Sequence, residues 1–212
     1  MKSLKLHFES LLDDDDAFYD PENDKKAIED WIKDNYNFSG KLTISDDLVV
    51  DCDKYVYVKN RYITSLTNGL FRWGYVGGNF VCNYCTKLKT LEGAPKKTMG
   101  YFDCGHCSNL KTLKGAPEYI GGDFDCNKCV NLTTLEGAPK ETDGYFCCSH
   151  CDKLETLKGA RRKVGGYFSC SHCDNLTSLK GAPEEIDGDL YCFGCKNLKI
   201  TDSDRIKYKI EN

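Results

Sequence analysis

The chain has 212 residues, 40% of them hydrophobic and 29% charged, with a formal net charge of -4. That length allows one domain with a sizeable core or one domain with an appendage. No apolar run approaches the roughly 18 residues of a membrane span, which excludes a helical membrane protein as the sequence stands. Residues 1–39 hold 11 acidic and 5 basic side chains, a net of -6, and the remainder carries +2. So little positive charge argues against a nucleic-acid partner.

The first 12 residues carry Lys2 and Lys5, but Ser, His and Glu interrupt their apolar positions. They lack the continuous apolar segment of a signal peptide, so the expected compartment is the cytoplasm. There the chain's 14 cysteines stay reduced, serving burial or metal ligation rather than disulfides. The four aspartates at 13–16 read as a solvated loop. Asp20 followed by Pro21 reads as an N-cap and a first-turn proline. Ile28, Trp31, Ile32 and Tyr36 recur at helical spacing, predicting an amphipathic helix over 21–36 that caps an open end. This acidic segment, residues 1–39, gives way to β chemistry over 40–77. Leu42 and Ile44 alternate, Val50, Cys52, Tyr55 and Val58 follow, and Ile63, Leu66 and Leu70 read as a degenerate repeat.

Residues 78–198 are six units of 22 residues. The pattern is G-x-F-x-C-x-x-C-x-x-L-x-x-L-x-G-A-P, with first cysteines at 82, 104, 126, 148, 170 and 192 and second cysteines three residues later. Arg161 replaces the proline after Gly159-Ala160, and Leu190 replaces Phe in the last unit, which stops after Leu198. A fixed period of this size is the signature of a solenoid, in which each unit buries its apolar face against its neighbours. Phe-x-Cys alternates as a strand with one buried face, and Gly-Ala-Pro closes a tight turn. No segment within a unit is long enough for a helix, so the return side is expected to be extended or a 3₁₀ turn. The Thr90, Thr112, Thr134, Thr156 and Ser178 column is expected to satisfy turn backbone groups. Residues 199–212 alternate weakly and read as a C-terminal strand or cap.

F-x-C-x-x-C-x-x-L resembles the leucine-rich repeat motif, with Phe and the first Cys in inward positions and the second Cys in the ladder position. Here the next leucine follows the ladder residue by three positions instead of two. More closely, Thr43 to Asp51 (T-I-x-D-D-L-x-V-D) and the repeats from Val76 to Leu198 are similar to leucine-rich repeat proteins of tailed bacteriophages. The fold this implies is a β-rich solenoid, a leucine-rich-repeat-like right-handed coil with a parallel β-sheet and a short helical N-terminal cap. The resemblance also implies a viral protein acting in a host cytoplasm. It brings no shared activity with it.

Paired CxxC motifs invite a zinc reading. The cysteines, however, fall on core-facing columns, where a reduced thiol packs as a small hydrophobe. The expectation is therefore no metal and no cofactor, with a zinc-stabilised repeat protein as an alternative. Cys147 breaks the pattern as an outward thiol. His106, His150 and His172 share one column, with Asp152 and Asp174 near the latter two. Their repetition points to structure rather than catalysis, and no catalytic residues are assigned. The informative surface is the outward strand face: Asn79, Tyr101, Asp103, Asp123, Asp125, Tyr145, Tyr167, Ser169, Asp189 and Tyr191, joined by the three histidines. Tyrosines flanked by aspartates suit a protein partner, a host protein on the resemblance. A structural component of the virion is the alternative.

Overall fold

The computed structural model describes residues 21–160 and 163–210. The aspartate run at 13–16, Asp20 and Arg161 lie outside them. The chain winds as a β-solenoid with two eight-stranded sheets, one on each side of the coil. One is built from the Phe strands, Phe80–Val81 to Leu190–Tyr191, with Val56–Val58 before them. The other is built from the return segments, Arg72–Val76 to Glu185–Ile186, with Val49–Cys52 before them. The return side is thus extended, and its short strands pair into a second sheet.

Register follows the sequence period. Phe80 pairs with Phe102, Phe124 with Phe146, and Phe168 with Leu190, all in parallel. The first coil is longer: Val56 pairs with Phe80 across 24 positions, and on the return side the register shifts between Val50, which pairs with Trp73, and Cys52, which pairs with Val76. Among the described residues only the outermost N-terminal strands are antiparallel: Tyr36–Phe38 on Val56–Val58, and Leu42–Ile44 on Val49–Cys52.

The core is a stack of repeated side chains. The Phe rings at 80, 102, 124, 146 and 168 are buried, with successive centroids 5.4, 5.9, 4.8 and 5.3 Å apart. Both leucine columns line the same core, including Leu88, Leu110, Leu132, Leu154 and Leu176. At the N-terminal end helix α1 (Pro21–Asn35) lays Ile28 and Ile32 on the first coil. Tyr36, just beyond it, donates its hydroxyl to Leu66 O at 2.7 Å and meets Trp73 edge-on. Residues 199–212 read as a strand or a cap, and the described part of the tail contains no strand. It forms a short helix α2 (Asp202–Tyr208), because Thr201 and Asp204 make a reciprocal capping box that starts a helical turn. Its Tyr208 hydroxyl donates to Pro183 O at 3.1 Å.

The inward column of the return sheet runs Val76, Thr98, Ile120, Thr142, Val164 and Ile186. Thr98 and Thr142 are buried there and their hydroxyls have no hydrogen-bond partner. An unsatisfied buried hydroxyl costs free energy that an apolar isostere recovers, so Thr142→Val is expected to stabilise the chain by about 1 kcal/mol. A lower urea midpoint for the variant would contradict this.

Candidate functional site

Metal chemistry and core packing make different demands on the cysteine columns. In a parallel ladder the amide of Gly105 would bond Cys82 O. Instead Gly105 N donates to the Asp103 carboxylate at 2.8 Å, and the chain turns away. The freed Cys82 carbonyl is taken by the Cys107 thiol, with Sγ 3.1 Å from O. The same bond recurs coil after coil, from Cys129 to Cys104 O, Cys151 to Cys126 O, Cys173 to Cys148 O and Cys195 to Cys170 O, at 3.1–3.3 Å. From Cys107 onward each second cysteine is thus a donor for the preceding coil's orphan carbonyl, which requires a protonated thiol. Burial pushes the first-column thiols, Cys82 to Cys170, above the usual range. All 14 cysteines are free, and among the described residues no three His, Cys, Asp or Glu side chains are grouped to hold a metal ion.

A thiolate is the reactive form of cysteine, so alkylation of the native chain at neutral pH is expected to spare the ladder and to label it only after denaturation. Rapid native labelling of Cys107 or Cys129 would contradict the donor role. Cys147 is half-buried rather than open, with its thiol raised by burial and 3.5 Å from Ser149 Oγ.

The CxxC turn also explains the histidine column. Tyr84, His106, Lys128, His150 and His172 all have φ between 54° and 59°, and Gly194 closes the column at 73°. The left-handed turn that brings the second cysteine inward needs this geometry, which histidine and glycine enter more readily than most residues. The rings then stack: Tyr84 on His106 at 4.1 Å, His150 on His172 at 4.5 Å. Burial and Lys128 hold His106 below the ordinary histidine value. The Thr column behaves as its chemistry suggests, with the hydroxyls of Thr112, Thr134 and Thr156 accepting from the amides of Lys114, Glu136 and Lys158.

The outward face of the Phe-strand sheet gathers the remaining candidates. Its aspartates are fixed by local bonds. Asp125 accepts from Asn127 N at 2.8 Å, repeating Asp103 on Gly105 one coil earlier. Asn79 and Asp123 accept from the amides of Tyr101 and Tyr145, each 22 residues on, at 3.0 Å. Asp189 accepts from the Tyr191 hydroxyl at 3.2 Å. Burial, then Tyr57, pushes the Tyr101 hydroxyl up to about 12, and burial, then the charges of Asp125 and Asp123, raises that of Tyr145.

Over the last three repeats the face acquires relief. Tyr145 and Tyr167 stack at 4.6 Å along one flank, and His150 and His172 stack along the other. Tyr191 and the unforeseen Phe193 close the C-terminal end, with Phe193 edge-on to His172 at 5.5 Å. Between them lie the short side chains of Cys147, Ser149, Ser169 and Ser171. Although they stand on the outward face, Ser169 and Ser171 are only 8% and 2% exposed, against 36% for Tyr167, 40% for Tyr191 and 64% for Phe193. Large rings therefore surround a low floor. Ser149 and Ser169 share a hydrogen bond at 2.7 Å, while Ser171 Oγ is buried without a partner. Only spacing links Phe193 to this site, since it stands 22 residues after Ser171.

Comparison with family models, curated proteins and solved structures returned no match. Among the described residues no helix is long and apolar enough to cross a membrane.

Proposed function

We propose that this chain is a non-enzymatic protein-binding module acting through the exposed face of its Phe-strand sheet. The observation that carries the reading is the difference between the two sides of the coil. Charges on the return side pair across coils, Lys140 with Glu118 and Lys163 with Asp187. On the Phe-strand face, Asp103, Asp123, Asp125 and Asp189 accept from amides or a tyrosine hydroxyl and, among the described residues, ion-pair with no lysine or arginine. Tyr101, Tyr145, Tyr167 and Tyr191 stand beside them, offering large contact area with polar tips. Carboxylates held in place without counter-charges, set among tyrosines, form a surface prepared for a partner rather than one that neutralises itself.

On the resemblance to leucine-rich repeat proteins of tailed phages, the partner is a cytoplasmic protein of a bacterial host. Neither stacked tyrosine belongs to the core, so Tyr145→Ala with Tyr167→Ala leaves the fold in place. The double variant is expected to weaken a one-to-one complex at least about tenfold. Unchanged affinity would place the contact elsewhere. Recovery of only the chain itself or of particle components would favour the structural role.

A further inference from the structure

The depression on the last three repeats is specific enough to name a ligand group. Its floor offers hydroxyl oxygens, of which Ser171 Oγ is unpartnered and its residue 2% exposed. Ser171 occupies the same column as Asn83, Asn127 and Ser149, whose side chains bond outward-facing groups one strand position earlier. Just before the N-terminal end of the floor, one coil ahead of Cys147, stands Asp125, whose carboxylate is half-buried and carries no lysine or arginine partner among the described residues. Lys128, the neighbouring cation in the histidine column, makes no ion pair to it. The flank is the parallel Tyr145–Tyr167 pair.

We propose that this depression receives the guanidinium group of an arginine presented by the protein partner, an inference that rests on the Phe-strand face being the partner surface. Guanidinium carries five N–H donors in a planar fork and no acceptor. Asp125 and the serine oxygens are the acceptors such a fork needs. The outer face of Tyr145, the one not stacked on Tyr167, supplies the cation–π contact that favours a flat, weakly hydrated cation. An ammonium group is more strongly hydrated and cannot span the floor as a fork.

The test is titration of N-acetyl-arginine methylamide into the ¹⁵N-labelled full chain, followed by amide shifts. The citrulline analogue, equal in shape but uncharged, is the control. Saturable shifts at Ser149, Tyr167, Ser169 and Ser171 are expected for arginine in the millimolar range and not for citrulline. Asp125→Asn keeps the oxygen that accepts from Asn127 N and is expected to weaken binding about tenfold. Asp34→Asn, an equal charge change on exposed α1, should leave it unaltered. The proposal is overturned by no saturation up to about 50 mM, by equal response to citrulline, or by equal loss in both aspartate variants. A captured partner that is lost with the tyrosine double variant but fully kept by Asp125→Asn overturns the arginine assignment alone and leaves the partner surface standing.

Discussion

Phe124→Ala is expected to destabilise the chain by about 3–5 kcal/mol and to split its unfolding into two transitions. Phe124 is fully buried in the middle of the ring stack, 5.9 Å from Phe102 and 4.8 Å from Phe146. Removing the ring takes away its own burial and leaves a cavity that the parallel strands on either side hold open. In a compact domain that loss spreads over the whole molecule. In a solenoid each coil touches only its neighbours, so a weak central interface uncouples the two ends. Both tryptophans, Trp31 and Trp73, sit at the N-terminal end against Tyr36, Phe71 and Phe80. Tryptophan fluorescence therefore reports that end, while far-ultraviolet dichroism reports the whole coil. The two urea curves should coincide in the parent chain and separate in the variant. Coincident curves with a loss below about 1 kcal/mol would show that the stack is not the coupling element.

Gly137→Ala tests the turn on the opposite edge. Gly137 has φ +88°, and a Cβ there would stand 2.5 Å from Lys114 Cα and N and 2.7 Å from Leu113 C. Those atoms are backbone of the preceding coil and cannot rotate aside. The cost is therefore the left-handed strain of about 1–3 kcal/mol plus overpacking of about 1–3 kcal/mol. Gly69→Ala separates the two terms, because Gly69 has the same φ, +89°, with nothing within 4 Å of its added Cβ. Thermal unfolding should show a clear loss for Gly137→Ala and a much smaller one for Gly69→Ala. Equal losses would mean that conformation alone, not the close stacking of coils, requires glycine.

The sequence period made the stacking legible, and alternation in Phe-x-Cys made the inward columns legible. Helix α1 was readable for the same reason, since Ile28 and Ile32 mark one face by spacing. What spacing could not convey was where backbone bonds are diverted. Asp103 and Asp125 read as recognition residues, yet each also ends a strand by capturing the amide two positions on. In those two coils the capture leaves the Cys82 and Cys104 carbonyls to the next thiol, and the thiol bond also recurs past Cys147, Ser169 and Tyr191, where no aspartate stands. The histidine column read as part of the outward face, and its backbone marks a left-handed turn that spacing does not convey. Ser169 read as exposed because it faces outward, but it is only 8% exposed. The C-terminal helix was hidden because seven residues give little periodicity, and its signal is the Thr201–Asp204 pair alone.

The central claim is that one face of the coil recognises a protein. Its most direct test is parallel capture from bacterial lysate by the tagged parent chain, by Tyr145→Ala with Tyr167→Ala, and by Lys97→Ala with Lys163→Ala on the return side. The expected result is one protein held in stoichiometric amount by the parent and the lysine variant and lost from the tyrosine variant. Equal retention by all three, or loss only from the lysine variant, would contradict the assignment of the Phe-strand face.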